Sequence, residues 1–309
     1  MKKPFDFCAR RKLFALISLC IFGVALIFNL IFGTAMDISF KGGTLMRYSY
    51  SGTLDEAAAK TAAQSVLGND ATMKTETVNN TAVISISLVK EINTDTQTAL
   101  DDALVKALPD NKIVQFSSNS LKASMGRLFF IKCLVAVALA ALFLMLYVGL
   151  RFRKIGGFSA SVFALLALAH DLLIVYFVFV LFRIPLNDNF VAVMLTILGY
   201  SLNDTIVIYD RIRENRKKLD PKTPIADVVN ISLNQSFVRT RNTTITTCIA
   251  VGTIAVVALV LRMDAIISFA LPMLFGAISG FYSSVFLSSP LWSMWVEHKA
   301  KKEAAKVGK

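Results

Sequence analysis

The sequence predicts a polytopic α-helical membrane protein: six transmembrane helices, with an extracytoplasmic α+β ferredoxin-like (βαββαβ) domain between spans one and two. Three observations lead there. Hydrophobic residues fill 55% of the 309 positions and gather in runs of roughly 20, the length a helix rising about 1.5 Å per residue needs to cross a bilayer. One stretch, residues 34–125, breaks that pattern and reads as short strands and capped helices. The basic residues behind the net charge of +12 cluster beside the apolar runs, so topology accounts for them better than nucleic acid does.

A short basic tail, residues 1–12, precedes Leu13–Ile31, the apolar core of the first span (13–33). That core exceeds the hydrophobic region of a secretory signal and no small-x-small site ends it, so it reads as a retained span. In the next domain Thr44–Tyr50 reads as a strand, and Thr53 with Glu56 as a capping box for a helix through Leu67. Ala71–Val78 and Ala82–Leu88 alternate as strands joined at Asn79-Asn80, Thr94 and Gln97 cap a second helix to Leu108, and Lys112–Phe116 is the last strand. This βαββαβ order is the split-βαβ arrangement. The domain holds no glycine-rich phosphate loop and no nucleophile motif, so it reads as a binding or mechanical module and the chain as no enzyme.

The remaining spans, within residues 126–296, are Leu128–Leu150, Phe158–Phe182, Phe190–Tyr209, Thr243–Leu261 and Ile266–Trp295, the last kinked at Pro272. Residues 210–241 read as a cytoplasmic amphipathic connector that starts a helix at Thr223-Pro224 and lays Ile225, Val228, Val229 and Leu233 on the membrane surface. A basic tail, residues 297–309, ends the chain. Lys and Arg enrich both tails, the 151–157 loop and the connector, whereas the loops at 183–189 and 262–265 hold one Arg each. Both termini are therefore expected in the cytoplasm and the large domain outside, with Trp292 and Trp295 in an aromatic belt at the inner face. Cys8, Cys20, Cys133 and Cys248 form no CxxC or Cys/His cluster and His170 and His298 are the only histidines, so neither a disulfide nor a metal site is expected, and no cofactor.

The chemistry lies in polar groups inside the spans. Asp204 sits in the fourth span about 8 Å by helical rise from its cytoplasmic end, where a carboxylate costs a few kcal/mol and is seldom kept without a task. Tyr200, Ser201 and Asp204 share a helix face, with Asn203 beside them. Arg239 enters the fifth span at a comparable depth, and Asn242, Thr243 and Thr246 continue its face. A carboxylate, a guanidinium and hydroxyls on adjacent helices make a proton or ion relay, or else a fixed ion pair locking two helices. Asp171 in span three is a second relay candidate or a structural hydrogen-bonding group, with Ala160, Ala164 and Ala167 on its side implying close helix contact; His170 reads as a packed residue. Gly276 and Gly280 form a small-xxx-small packing face continued by Ser283 and Ser284.

These residues carry a resemblance. Phe40-Lys41-Gly42-Gly43-Thr44, Ala169-His170-Asp171, Gly199 to Val207 with Asp210 to Asn215, Ser232 to Thr240, and Gly280-Phe281-Tyr282-Ser283-Ser284 resemble the motifs of the SecD/SecF family, in its SecF branch, within the resistance-nodulation-division superfamily. The resemblance covers nearly the whole chain, and the fourth-span signature with its downstream arginine is the most specific part. It implies a bacterial cytoplasmic-membrane subunit of protein export, partnered by SecD and the SecYEG channel, that uses transported H+ (in some relatives Na+) to help draw preproteins outward. It also implies that Asp204 and Arg239 take part in ion transport. One departure stands out: an acidic residue commonly precedes the phenylalanine of the glycine motif, whereas Ser39 precedes Phe40 here and Asp37 lies two positions earlier. Two other readings remain open from the residues themselves, a half-size exporter of small hydrophobic molecules and a translocon scaffold that moves no ions.

Overall fold

The computed structural model describes residues 5–68, 71–78, 81–90, 92–121 and 123–307. Among them, six helices are long and apolar enough to cross a membrane. They are built from α1 (Arg11–Phe32), α5 (Ala123–Arg151), α6 (Gly157–Leu181), α7 (Asp188–Lys218), α8 (Ile225–Val260) and a bipartite last span of α9 (Asp264–Tyr282) and α10 (Ser289–Val307). About half of the apolar stretch is buried in α6 and somewhat less in α7 and α9–α10, against small fractions in α1, α5 and α8. The first three are therefore the core, and the others present leucine, isoleucine and valine outward, as helices facing lipid do.

Three expectations about the spans need correction. The connector is no separate surface helix. α7 continues through Lys218 on i,i+3 and i,i+4 pairs (Arg211–Glu214, Lys218–Glu214), and α8 is one helix of 36 residues beginning just after Pro224, which is its N-cap and not its first helical residue. Val228, Val229 and Leu233 bury against protein instead of lipid, because Asn215 Nδ2 donates to Ser232 Oγ (2.8 Å) and to Gln235 Oε1 (2.8 Å) and closes α7 and α8 into a hairpin. Trp292 is no belt residue. It is fully buried, its indole N–H donating to Ser159 Oγ at 3.1 Å and its ring 6.0 Å from that of Tyr209, while Trp295 stays exposed. The last span carries Pro272 inside a continuous α9, and its departure from α-helical geometry falls instead at a π-helical segment, Ser283–Ser288.

Residues 43–121 form a four-stranded sheet with two helices: β1 (Gly43–Ser49), α3 (Glu56–Leu67), β2 (Thr72–Val78), β3 (Thr81–Leu88), α4 (Thr94–Ala107) and β4 (Val114–Leu121). The strand order is β2-β3-β1-β4, every pair antiparallel, with Met46 opposite Ile86 and Tyr48 opposite Ile84. Alternation puts Met46, Tyr48, Ile84 and Ile86 on one face, where Ala59, Ala63, Leu100 and Leu104 of the helices close the core. The Tyr48 hydroxyl donates to Asp101 Oδ1 at 2.7 Å, and burial raises its pKa well above the usual phenol value. The caps differ from expectation. Asp55, not Thr53, accepts from Ala57 and Ala58 N–H at 3.0 Å, so the first helix starts two residues later than expected, and Asn93, not Thr94, accepts from Thr96 N–H at 2.9 Å, so the second starts one residue earlier. The last strand runs farther than Phe116 because all of its length pairs with β1. The Asn79-Asn80 turn lies outside the described residues.

The sheet is tied to the helices at two levels. Between α1 and β1 a one-turn helix, α2 (Ile38–Lys41), is capped by Asp37, whose carboxylate accepts from the Ser39 N–H and hydroxyl, both at 3.0 Å. Asp37 N–H donates to Leu186 O and Leu186 N–H to Ala35 O, both 2.9 Å, so this linker pairs with the α6–α7 loop. The ends of α6 and α8 are alike: Arg183 and Arg262 adopt the left-handed conformation after the last turn, with Ile184 N–H returning to Phe179 O and Met263 N–H to Ala258 O. The lone arginines of those loops are thus helix terminators placed where the dipole favours a cation. At the other side of the bundle Phe7 is buried, its N–H donating to Asn230 Oδ1, and the adjoining Cys8 thiol has its pKa pushed up to about 11 by burial.

Gly43 joins this linker to the sheet with φ +132°, and a β-carbon there would lie 2.2 Å from Leu88 O. Gly43→Ala is expected to destabilise the sheet by about 2 kcal/mol or more. Limited proteolysis of the membrane-embedded protein should show faster cleavage within residues 43–121, whereas Gly23→Ala, with open space around it, should leave the pattern unchanged.

Candidate functional site in the helix core

α6, α7 and α9 converge on Asp171, whose side chain has no solvent exposure. Its Oδ2 accepts from the hydroxyls of Ser201 (2.5 Å) and Ser283 (2.7 Å), and its Oδ1 accepts from Ser279 (2.6 Å). His170 Nδ1 stands 3.2 Å from Oδ1 and 3.3 Å from Ser279 Oγ. Three O–H donors from two other helices satisfy a carboxyl group that lipid or a dry apolar core would leave unpartnered. The local sequence makes the approach feasible. Ala160, Ala164 and Ala167 are buried on the side of α6 that carries Asp171, and on α9 a β-carbon at Gly280 would come within 2.9 Å of Ser201 Cβ. The π segment widens the last turn so that Ser283, Ser284 and Ser288 are all turned inward.

Below this cage a run of hydroxyls follows the α7 seam. Thr205 Oγ1 and Ser284 Oγ are 2.9 Å apart, Ser284 Oγ also donates to Ser201 O (3.2 Å), and Tyr209 Oη bonds Ser288 Oγ (2.9 Å) and donates to Ala160 O (3.2 Å). Ser201, Thr205 and Tyr209 recur every four residues, one face of α7. Of this run the sequence marked Ser201, Ser283 and Ser284. It missed Ser279, Thr205, Ser288 and Tyr209: their helical spacing is there to be read, but only contact with another helix separates these hydroxyls from the many others in apolar runs.

Asp204 takes a different position. It is 2% exposed, and its Oδ2 is buried with no hydrogen-bond partner among the described residues. Arg239 does not meet it: among the described residues no ion pair joins the two, and Arg239 is exposed while the next residue, Thr240, turns inward and donates to Ser236 O. The direct pairing read from the sequence is therefore not made in this conformation. Asn203, Arg239, Asn242 and Thr246 lie exposed, and Tyr200 and Thr243 half-buried, with Tyr200 Oη donating to Thr244 Oγ1 at 3.4 Å where α7 crosses α8. These side chains form two polar stripes on neighbouring helices, at Tyr200 and Asn203 on α7 and at Arg239, Asn242, Thr243 and Thr246 on α8. Gly276 and Gly280 sit at helix contacts, Gly276 against Ile197 and Gly280 against Ser201.

Six apolar helices, three of them meeting on a buried carboxylate, with a small α/β unit inserted after the first, define a polytopic helical membrane protein with a polar intramembrane core. The chain belongs to the SecD/SecF family: the family model described as "Protein export membrane protein SecD/SecF, C-terminal" matches residues 100–298. Protein translocase subunit SecF of Alicyclobacillus acidocaldarius is 34% identical over 220 residues, 71% of this chain and 69% of that protein. SecF of Petrotoga mobilis is 41% identical over 170 residues, 55% of this chain and 53% of the relative. SecDF of Bacillus subtilis is 34% identical over 189 residues, which are 60% of this chain and 25% of that longer protein. The match thus spans from a quarter to about two thirds of these relatives. The crystal structure of SecDF from Thermus thermophilus, a translocon-associated membrane protein, superposes with TM-score 0.78 at 26% identity, covering 96% of this chain and 39% of that one.

The glycines of the seam separate by what surrounds them. Gly280→Ala forces α9 away from Ser201 and is expected to lower the thermal unfolding midpoint of the detergent-solubilised protein. Gly199→Ala, with nothing within 4 Å, is expected to leave it unchanged or raise it, since alanine is more favourable than glycine inside a helix by up to about 1 kcal/mol.

Proposed function

We propose that this chain is a SecF-like subunit of the Sec preprotein translocase, coupling the proton (or sodium) gradient to late steps of protein export across the bacterial cytoplasmic membrane. The observation that carries the coupling is Asp204: a carboxylate inside a span, nearly without solvent and with Oδ2 unpaired, behind a polar stripe on α7 and α8. Exposed Asn203, Arg239, Asn242 and Thr246 at bilayer depth call for cover by another protein or by water. A SecD partner covering this stripe would complete the surroundings of Asp204 and bring a neutralising contact to Arg239. The Lys and Arg enrichment of both tails and the cytoplasmic-side loops supports both termini in the cytoplasm and residues 34–125 outside, and the β2-β3-β1-β4 order supports a ferredoxin-like domain there.

In this reading one charge moving through 100 mV supplies about 2.3 kcal/mol, enough to bias a two-state element, though not to switch it completely. Proton uptake at Asp204 removes a charge behind the stripe, and α7 and α8 readjust against the partner. The movement reaches the outer domain through the two chain segments that carry it, the α1–β1 linker and the start of α5. These pack closely enough that a β-carbon on Gly126 would lie 2.7 Å from Gly42 N. The outer domain handles the preprotein and SecYEG supplies the channel; neither needs a bound cofactor on this chain.

Asp204→Asn is expected to abolish the gradient-dependent part of preprotein export in inverted vesicles while copurification with SecD and SecYEG persists. Retained gradient dependence would overturn the assignment. The double variant Asn203→Leu, Asn242→Leu removes polar contacts from the stripe, and recovery of SecD with the tagged protein is expected to fall about fivefold, as for a loss of about 1 kcal/mol of interhelical hydrogen bonding.

A further inference from the structure

We propose that His170 and Asp171 form a second proton-binding site in the helix core, distinct from Asp204, in which His170 Nε2 takes the proton and Asp171 remains the fixed counter-charge. The ligand is a single proton, and the proposal holds whether or not the chain serves export.

The geometry assigns the roles. Asp171 receives three hydroxyl hydrogens at 2.5–2.7 Å, an arrangement built for the ionised form, yet no lysine or arginine among the described residues pairs with it. His170 Nδ1, 3.2 Å from a carboxylate oxygen, carries its hydrogen on that side, since two facing lone pairs would repel. Nε2 is then a bare lone pair. It is buried and has no hydrogen-bond partner, and the whole residue is 7% exposed. A buried base without a donor, joined through its own ring to an uncompensated carboxylate, raises the net charge of the pair from minus one to zero when it binds a proton. The proton forms an N–H bond on Nε2, and the pair becomes imidazolium and carboxylate.

The ring's surroundings separate this site from the other. Phe22 of α1 lies 5.0 Å from the imidazole centroid and Tyr282 of α9 lies 5.9 Å away. Tyr282 Oη is engaged with Phe14 O (2.7 Å) and Ser18 Oγ (3.3 Å) and does not satisfy Nε2. The other ionisable groups of the spans packed on α6 include Arg11, Lys12 and Cys20 on α1, Arg127, Lys132, Cys133, Tyr147 and Arg151 on α5, Tyr176 on α6 itself, and Tyr200, Asp204 and Tyr209 on α7; none of these has a hydrogen bond to either residue among those described. His170 thus sits between α1 and the α9 end of the π segment, on the far side of Asp171 from Ser201. Protonation there adds a cation facing two aromatic rings, a contact that favours the charged form.

The chain has two histidines, so 15N-histidine labelling of the full protein in lipid nanodiscs reads the site directly, and His298→Gln identifies the His170 signals. The imidazole nitrogens of His170 are expected to titrate in one step with Nε2 as the site of uptake. Asp171→Asn should weaken proton affinity at least about tenfold, the loss of a neighbouring charge. Ser283→Ala, which withdraws one donor from the carboxylate without touching the histidine, should strengthen it, and Asp204→Asn should leave the midpoint in place. Should Asp171→Asn fail to fold, the Ser283→Ala shift decides alone. A His170 that shows no titration between pH 5 and 9, a midpoint unmoved by Ser283→Ala, a midpoint that follows Asp204→Asn, or one that shifts when sodium replaces choline would each overturn the proposal.

Discussion

A carboxyl side chain is not kept in an apolar helix core unless its oxygens are met, and in this molecule that condition is imposed at Asp171. Its partners come from α7 and from both sides of the α9–π boundary, so one carboxylate fixes the relative position of three helices. A serine hydroxyl reaches barely beyond its own backbone, so those helices must nearly touch. The alanines of α6 and the glycines of α9 follow from this: with larger residues at Ala164 or Gly280 the hydroxyls of the neighbouring helix would stand too far off to donate. Small residues and buried polarity are one requirement seen from two sides.

The π segment serves the same end. Ser279 and Ser283 lie four residues apart, as do Ser284 and Ser288, so each pair shares a helix face. The wide turn at 283–288 holds the set inward, Ser279 and Ser283 toward α6 and Ser284 and Ser288 toward α7. Pro272 sits a few turns earlier in a helix that remains continuous, so proline is not what shapes this span. Farther along, the re-phased α10 sends Trp292 into the bundle, where Ser159 satisfies its indole N–H.

Much of this was legible in the chain. Six apolar runs, the order of strands and helices between the first two, and a buried Asp204 all follow from composition and period, signals spread over many residues. What failed to show depends on single contacts between distant positions. The ligands of Asp171 lie 30, 108 and 112 residues away, and serines are too frequent to mark themselves. The 210–241 segment looked like a surface helix because its apolar face is genuine; whether lipid or protein covers such a face is decided by a partner, here the Asn215–Ser232 clasp. Arg239 and Thr240 are about 100° apart on one helix, and only packing across helices selects which turns inward.

The two acidic residues of the core are chemically opposite, and this bears on how a gradient is used. Asp171 is saturated with donors and anchors three helices, so any movement that displaced it would break three short hydrogen bonds together. Asp204, one helical turn from Ser201, has an unpaired oxygen and borders a helix face whose polar groups point out of the bundle. A charge change at the first alters the electrostatics of a rigid seam, while a change at the second acts where α7 and α8 meet whatever lies beyond them. Work needs both a fixed frame and a part free to shift against it. The seam of α6, α7 and α9 is the frame, and the α7–α8 stripe is a polar surface on which displacement leaves that frame whole.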